Sequence, residues 1–434
     1  MNKFLFKQID NSALVVFRIF FGLLIFLESV GAIFTGWIKR TLIDPEFTFS
    51  MIGFEWLQPL PGYGMYAYYI IMGIFGLGVM LGYKYRVSIV AFTVMWTLTY
   101  LMQKASYNNH YYLLILISVF MCLVPAHKYA SLDVKINPEI KSIKMPNWCR
   151  WVFIIQMAIV YTYGSLNKVY ADWLDTSVIE IFMLAKKHYY IVGEVLQEKW
   201  VHYFLAYGGI LYDGLVIPLL LYKPTRKLAL ICSIFFHIFN AIVFQVGIFP
   251  FLSLAFILFF YDPKVIHKLF LKSKKYYEDY SITVPAYSTL FKAVFVGYFL
   301  IQVGLPLRHW FIKGDVLKTE EGHRLSWRMM LRTKSGVVNY KVVDKSTGQS
   351  TIINHYKMVS PKQRNMLATK PDVMWQFIQR LKKQYKNEGK EVEIYIVNSK
   401  VSVNGKPYES FINPDIDMAK VSWNTFVHSP WILD

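Results

Sequence analysis

Cysteine and acidic side chains are scarce in this sequence of 434 residues. The three cysteines, Cys122, Cys149 and Cys232, all lie outside the polar C-terminal part, so a disulfide framework is not indicated. Aspartate and glutamate number 28 against 47 lysines and arginines, which gives a net charge of +19. Internal repeats and low-complexity segments are also lacking, and this argues against a repeat protein or a disordered chain.

The excess of basic residues does not indicate a nucleic-acid-binding protein, because of where these residues lie. Lysine and arginine cluster in short loops between long apolar runs, which is typical of cytoplasmic loops. Hydrophobic residues make up 55% of the chain and aromatic residues 18%. Several runs approach the roughly 20 apolar residues that a spanning helix needs. The sequence therefore predicts an integral membrane protein with no nucleic-acid partner.

We predict a polytopic α-helical membrane protein in which residues 1–307 form about nine transmembrane helices. The first span, Ser12–Phe34, is too long for the apolar part of a cleaved signal peptide and is expected to be retained. The predicted spans are residues 12–34, 65–82, 87–103, 109–124, 150–167, 203–222, 228–245, 247–261 and 288–306. The basic loops predict a cytoplasmic N-terminus. Because the predicted number of spans is odd, the C-terminal part is then expected outside the cytoplasm.

From residue 308 the sequence becomes more polar and predicts a small extracytoplasmic α+β domain in residues 308–434. The stretch "GVVNYKVVDKSTGQSTIINHY" alternates and turns at Gly348, which indicates a hairpin. The stretch "PDVMWQFIQRLKKQYKNEG" has helical periodicity, with Pro371 at its start and Gly389 past its end. Two further strands are predicted around Asn404 and Gly405.

Several polar side chains lie within or at the ends of the predicted spans. Such groups are costly in a membrane and usually face a bundle interior or a cavity. The predicted topology brings one set of them to the outer leaflet: Asn108, Asn109, His110, Lys168, Tyr207, Asp213, His237, Asn240 and Gln245. We therefore expect a pocket beneath the external domain.

Lys168 follows the apolar run that ends in "GSLNKVYADW" (Gly164–Trp173). An exposed lysine is almost wholly protonated at neutral pH, whereas burial in an apolar pocket favours the neutral amine. A neutral lysine can remove a proton from an acidic hydroxyl, for example that of a hydroquinone dissolved in the bilayer. The alternative is a side chain that only anchors the helix end at the membrane surface.

Simpler structural roles also stay open for the other polar residues. Asn109 and His110 can cap a helix. His237 and Asn240 are about one turn apart and can form hydrogen bonds between helices. A metal site is not indicated, because no pair of His, Asp or Glu residues has convincing ligand spacing.

Seven stretches of the chain resemble, in the same order, the vitamin K-dependent γ-glutamyl carboxylases and their bacterial relatives with a horizontally transferred transmembrane domain. They are "VFRIFFG", "GVMLGYKYRVS", "KASYNNHYYL", "GSLNKVYADW", "FFHIFNAIVFQVGIF", "LSWRMM" and "FINPDIDMAKVSWNTF". The resemblance implies an enzyme that oxidises reduced vitamin K (phylloquinol or menaquinol) with O2 to the epoxide. The base formed in that reaction removes the γ-proton of a peptide glutamate, and CO2 then adds.

The resemblance also implies roles for particular residues. Lys168 matches the base of the family, and His110 with Asn109 match groups that stabilise intermediates. Residues implied in quinol binding are Asn109, Tyr161, His237 and Asn240, and those implied near the glutamate substrate are Ser326, Trp327 and Met330. No metal is implied.

The expected partner is a glutamate-containing secreted or membrane protein, and the expected location is a bacterial inner membrane. Two other functions stay open at this point. One is a quinol-binding oxidoreductase that forms the epoxide without carboxylation. The other is a non-enzymatic membrane protein that captures partners through its α+β domain.

Overall fold

The computed structural model of the chain describes residues 1–433. Residues 1–307 are mainly helical. The helices are α1 (Asn2–Leu5), α2 (Ser12–Phe34), α3 (Gly64–Leu81), α4 (Tyr85–Met102), α5 (Asn109–Leu123), α6 (Leu132–Ile136), α7 (Trp148–Leu166), α8 (Ala171–Leu174), α9 (Ser177–Leu184), α10 (Lys199–Leu221), α11 (Arg226–Phe239), α12 (Phe249–Phe256), α13 (Pro263–Phe270) and α14 (Ser288–Leu307). A small antiparallel sheet joins β1 (Gln8–Asp10) to β2 (Lys144–Pro146).

Within the described residues, six helices are long and apolar enough to cross a membrane: α2, α3, α4, α10, α11 with its extension to Phe244, and α14 with its extension to Trp310. A seventh span would need α13 together with Phe249–Phe259, and these are bent by 114°. The prediction of nine spans is therefore not confirmed.

The other predicted spans are helices whose length or composition differs from that of a simple span. Helix α5 has only 15 residues, which is shorter than the roughly 20 that a bilayer requires. Helix α7 has 19 residues but includes Arg150 and Gln156, and both lower its apolar character. Hydrophobic runs of this kind also occur in helices buried inside a bundle.

Aromatic side chains fill the centre of the helical bundle. Phe153 of α7 stacks on Phe259 with 4.6 Å between ring centroids, and Phe17 of α2 lies 4.9 Å from the same ring. All three are fully buried, and large aromatic rings contribute much of the burial energy of a core. Gly22 lets α2 approach α3, because an added Cβ would lie 2.2 Å from the backbone nitrogen of Met80.

The C-terminal part is an α+β unit, as predicted. Its elements are α15 (Val316–Thr319), β3 (Lys334–Asp344), β4 (Ser350–Ile353), α16 (Pro361–Thr369), α17 (Pro371–Asn387), β5 (Val392–Val403) and β6 (Glu409–Ser410). The strands form one antiparallel sheet in the order β4-β3-β5-β6. Phe377 of α17 packs near Tyr340 of β3, with ring centroids 5.0 Å apart.

The local predictions for this domain are confirmed. Gly348 has φ +69° in the connection between β3 and β4, and Gly389 has φ +75° beyond the end of α17. Asn404 and Gly405 have φ +53° and +73° directly after β5. The strand that follows, β6, has only two residues.

Buried polar contacts hold the C-terminal domain against the helical bundle. Asp372, at the start of α17, forms ion pairs at 2.9 Å with Lys104, which follows α4, and with Arg324. Nδ2 of Asn404 donates to Oδ2 of Asp172 in α8 at 2.9 Å. Because α8 directly follows α7, these contacts fix the domain close to the end of α7.

Candidate functional site

A cavity of about 990 Å³ lies among α5, α7, α9, α10 and α11. Aliphatic and aromatic side chains form most of its wall, and Met329 and Met330 from the segment before β3 also contribute. Its hydrogen-bonding side chains include His110, Tyr161, Lys168, Tyr212, Asp213 and Asn240. A mainly apolar cavity of this size with a few polar groups has the character of a small-molecule site, which typically measures about 300–1,000 Å³.

Lys168 lies two residues beyond α7, and its amine forms an ion pair with Oδ2 of Asp213 on α10. The exposed fractions of the two side chains are 12% and 7%. The ring of Trp173 lies on another side of the amine, 5.6 Å from Nζ. This burial argues against a surface anchor. The amine is paired with a carboxylate, a partner that the sequence analysis did not assign to it.

Asp213 reaches Lys168 where α7 and α10 pack closely. Gly164 of α7 lies opposite the carboxylate, and a Cβ added there would be 3.1 Å from Oδ2 of Asp213 and 3.6 Å from Cε of Met329. One residue later, Oγ of Ser165 donates to the backbone oxygen of Ile210 in α10 at 2.9 Å. A residue without a side chain at position 164 therefore leaves room for the carboxylate.

Asn109 is the first residue of α5, but the capping side chain belongs to Asn108. Oδ1 of Asn108 accepts a hydrogen bond from the backbone N–H of Tyr111 at 2.7 Å. Oδ1 of Asn109 accepts from the hydroxyl of Tyr107 at 2.9 Å, and its Nδ2 donates to the backbone oxygen of Arg328 at 2.9 Å. Asn109 thus lies behind the cavity wall and contacts the segment that carries Arg328.

His110 is the next residue and lies in the cavity wall. Its ring is near that of Phe249, with 5.7 Å between the centroids. Nδ1 of His110 is buried and has no hydrogen-bond partner among residues 1–433. Because buried polar atoms are nearly always hydrogen-bonded, this nitrogen lacks the partner that such an atom normally has.

His237 of α11 lies behind two tyrosines of the wall. Its Nε2 is 2.8 Å from the hydroxyl of Tyr161 in α7 and 3.1 Å from that of Tyr212 in α10. The hydroxyl of Tyr212 also donates to Oγ of Ser233 at 3.0 Å. His237 therefore forms hydrogen bonds between helices, which was one of the alternatives left open for it. Asn240, less than a turn further along, lies in the wall itself.

The segment 325–330, "LSWRMM", has an unusual backbone. Leu325, Trp327 and Met330 have φ values of +58°, +53° and +51°. Positive φ is uncommon for residues other than glycine and costs about 1–3 kcal/mol each, and such residues cluster at functional sites. Met330 lines the cavity, whereas Ser326 and Trp327 are buried behind it.

Side chains at the ends of two helices hold this segment. Nδ2 of Asn167, which directly follows α7, donates to the backbone oxygen of Ser326 at 3.1 Å. Oδ1 of the same asparagine accepts from Nη1 of Arg328 at 3.0 Å. Together with the bond from Asn109 to Arg328, these contacts attach the segment to both α5 and α7.

Two family models match the chain. The HTTM domain model matches residues 6–264, and the model of the vitamin K-dependent gamma-carboxylase lumenal domain matches residues 287–434. The chain belongs to the vitamin K-dependent γ-carboxylase family. No solved structure matches it.

Membership in the vitamin K-dependent γ-carboxylase family confirms the resemblance seen in the sequence. The family implies the use of reduced vitamin K and acts on glutamate-containing proteins. The candidate membrane helices and the match to a lumenal domain indicate a membrane protein with an extracytoplasmic domain. The cytoplasmic N-terminus and the domain boundary at residue 307 stay predictions.

The cavity fits the reduced vitamin K that this family implies. A reduced naphthoquinone has a flat head with two hydroxyls, for which the wall offers the Lys168–Asp213 pair and the imidazole of His110. Its long apolar tail suits the rest of the wall. Several wall residues on α10 and α11 are exposed, namely Leu211, Leu215, Ile231 and Phe235. Both helices are long and apolar enough to cross a membrane, so part of the cavity wall belongs to candidate membrane spans.

The structure separates the predicted site residues into two groups. The cavity wall contains Lys168, His110, Tyr161, Asn240 and Met330. Behind it lie Asn109, His237, Ser326 and Trp327, which contact wall residues or the segment that carries them. Within residues 1–433 no group of three or more His, Cys, Asp or Glu side chains is arranged to hold a metal ion. The roles of all these residues stay predictions.

Sequence reasoning missed the partner of Lys168. It grouped Asp213 with other polar residues at the same depth but assigned it no role. The signal was the position of this aspartate inside the apolar stretch "YGGILYDGLVIPLLL". An acidic residue in a membrane helix is normally paired, and Lys168 was the basic residue expected at the same level.

Proposed function

We propose that this protein is an integral-membrane γ-glutamyl carboxylase, which couples the oxidation of reduced vitamin K by O2 to the carboxylation of peptide glutamate by CO2. The observation that carries the proposal is that Lys168 and His110 lie in the wall of one apolar cavity, in a chain of this family. The substrate would be a glutamate-containing secreted or membrane protein that meets the C-terminal domain outside the cytoplasm.

When bound, reduced vitamin K supplies two electrons and two protons, so that one atom of O2 enters the epoxide and the other leaves as water. In the coupled reaction the glutamate γ-carbon loses a proton and forms a bond to CO2. Both reactions develop negative charge that water would quench. The apolar wall supports the proposal because it excludes water and strengthens electrostatic interactions inside the cavity.

Lys168 is the proposed group that takes a proton from a hydroxyl of the bound hydroquinone. A base must lie within hydrogen-bond reach of the proton that it removes. The burial of Lys168 in the wall supports this role, as does the contribution of the candidate membrane helices α10 and α11 to the same cavity.

His110 is the proposed donor to negative charge that develops during the reaction. A hydrogen bond prearranged for such charge in a dry site lowers a barrier by several kcal/mol. The place of His110 in the cavity wall supports the assignment. Tyr161, His237 and Asn240 are proposed to hold the quinol, with His237 acting through the Tyr161 hydroxyl.

The segment 325–330 is proposed to meet the glutamate substrate. Met330 lies in the wall, and the buried Ser326 and Trp327 give the segment its shape. Asn109 is proposed to act through this segment, because both atoms of its amide are already bonded to Tyr107 and Arg328. The family match over residues 287–434 supports a role of this part in substrate binding.

The test uses purified protein in detergent with reduced vitamin K, O2, labelled CO2 and a glutamate-containing peptide. We expect epoxide and labelled peptide from the wild type and neither from Lys168→Ala. Lys292→Ala is the matched control, since this lysine lies in α14 outside the cavity, and it should keep activity. Epoxide without label would indicate an oxidoreductase. Neither product from the wild type would favour a partner-binding protein without this activity.

A further inference from the structure

Asp213 is an acidic residue within a membrane-spanning helix, and its carboxylate is paired with Lys168. An ionised group in apolar surroundings costs several kcal/mol unless an opposite charge compensates for it. If Lys168 were neutral beside it, the Asp213 carboxylate would be left without a counter-charge. We therefore assign one positive and one negative charge to the resting pair, with no net charge in the cavity.

This resting state limits what Lys168 can do alone. An ammonium group carries three N–H donors and no lone pair, so it cannot accept a proton. The neighbouring carboxylate has free lone pairs and can. Lys168 can therefore take a proton from a bound hydroxyl only if it passes one of its own to Oδ2 of Asp213.

We propose that Asp213 is the final acceptor of the proton that leaves the hydroquinone, with Lys168 as the relay, and this inference rests on the proposed function. The O–H bond of the hydroquinone breaks, one N–H bond of Lys168 forms while another breaks, and an O–H bond forms on Asp213. The negative charge moves from Asp213 to the hydroquinone oxygen, and Lys168 stays positive beside that oxygen. The cavity keeps zero net charge throughout, so no charge is left uncompensated.

Other titratable groups face the cavity from the surrounding helices: His110 from α5, Tyr161 from α7, Tyr212 from α10 and Cys232 from α11. The hydroxyls of both tyrosines are bonded to His237. The ring of His110 lies against Phe249. The ion pair of Asp213 with Lys168 therefore gives the carboxylate its direct path to a bound hydroxyl.

Infrared difference spectroscopy on the full-length protein without O2 tests the proposal. The probe is a 1-naphthol with a long alkyl chain, which has one hydroxyl and an absorption spectrum that reports its ionisation. In the wild type, binding should produce naphtholate together with the carbonyl stretch of a protonated carboxylic acid, which shifts in D2O. The carboxylic-acid band should be missing in Asp213→Asn and return in Asp213→Glu.

Naphtholate without the carboxylic-acid band in the wild type, or no naphtholate at all, would overturn the proposal. Epoxide formation from reduced vitamin K is measured in parallel and should fall about 100-fold in Asp213→Asn, since proton transfer typically contributes about 10²–10⁴-fold. An unchanged rate in that variant would also overturn it. If the wild type makes no epoxide, the proposed function itself fails. If Asp213→Asn does not fold, the proposal is tested by whether the naphtholate and carboxylic-acid bands appear in the wild type and in Asp213→Glu.

Discussion

Replacing Gly164 with alanine should separate Lys168 from Asp213 without removing either group. The new Cβ would lie 3.1 Å from Oδ2 of Asp213, whereas ordinary contacts begin at 3.4 Å. The carboxylate must therefore move by a few tenths of an ångström. Cε of Met329 is 3.6 Å from the same position, which is an ordinary van der Waals contact, so the carboxylate is the group that has to move.

The expected loss of rate follows from this displacement. A misplacement of about 1 Å in an active site costs about 100-fold, or about 2.7 kcal/mol. A shift of a few tenths of an ångström should then lower epoxide formation about threefold to tenfold. Alanine is favoured over glycine within a helix by about 1 kcal/mol, so stability should not fall for that reason. Gly297→Ala in α14 is the control, because no atom lies within 4 Å of its added Cβ.

Initial rates of epoxide formation at saturating reduced vitamin K give the comparison. Equal rates for Gly164→Ala and Gly297→Ala would refute the argument that the spacing of the pair matters. A double-mutant cycle identifies the cause. With Asp213→Ala as background, Gly164→Ala should have no further effect, because the group that it displaces is absent. A further loss in that background would point to the contact with Met329 instead.

Two other variants test separate parts of the structure. His110→Ala should lower carboxylation more than epoxide formation in the labelled assay, and equal losses would contradict its proposed role. Glu320→Gln should destabilise the C-terminal domain by about 3–5 kcal/mol at neutral pH, because it leaves Arg332, Lys370 and Lys334 without their buried counter-charge. Burial by itself raises the pKa of Glu320, but these cations lower it well below its ordinary value. The advantage of the wild type should therefore be present above about pH 4.3 and decline as the pH falls further. Protease resistance between pH 7 and pH 3 measures it, and equal resistance at pH 7 would refute the reasoning.

The parts of the fold that depend on local sequence could be predicted. The turn at Gly348 and the helix Pro371–Asn387 rest on glycine, proline and periodicity within a few residues, and both are confirmed. The hydrophobic runs also located the long helices of residues 1–307. They did not show which helices cross the membrane, because α5 is short and the helix at Phe249–Phe259 is followed by a bend of 114°.

For the candidate site, the sequence could predict which residues lie at the same depth in the membrane. Charged loops and apolar runs placed Lys168 and His110 at one level, and the structure brings both to the same cavity. The pairing of Lys168 with Asp213 could not be predicted in this way, because 45 residues separate them. The pairing depends on the position and angle at which α7 packs against α10. The hydrophobic pattern of either helix does not determine this packing.

The positions of Ser326 and Trp327 behind the wall could not be predicted either. Which side of a segment faces a cavity depends on its backbone angles. Trp327 and Met330 adopt positive φ, a conformation that sequence signals indicate for glycine or asparagine but not for tryptophan or methionine. In a regular strand or helix, the side chains of "LSWRMM" would point in directions other than those that the structure shows.

The segment 325–330, with its positive φ values, is bonded to the ends of two helices of the bundle. Positive φ at residues such as Trp327 persists only where surrounding structure imposes it. Here the imposing groups are Asn109 and Asn167, at the ends of α5 and α7, while the chain that they hold belongs to the region matched as a lumenal domain. Asn167 directly precedes Lys168. The residue proposed as the proton relay and the segment proposed to meet the glutamate substrate are thus both attached to the end of α7, so that a shift of α7 should displace both at once.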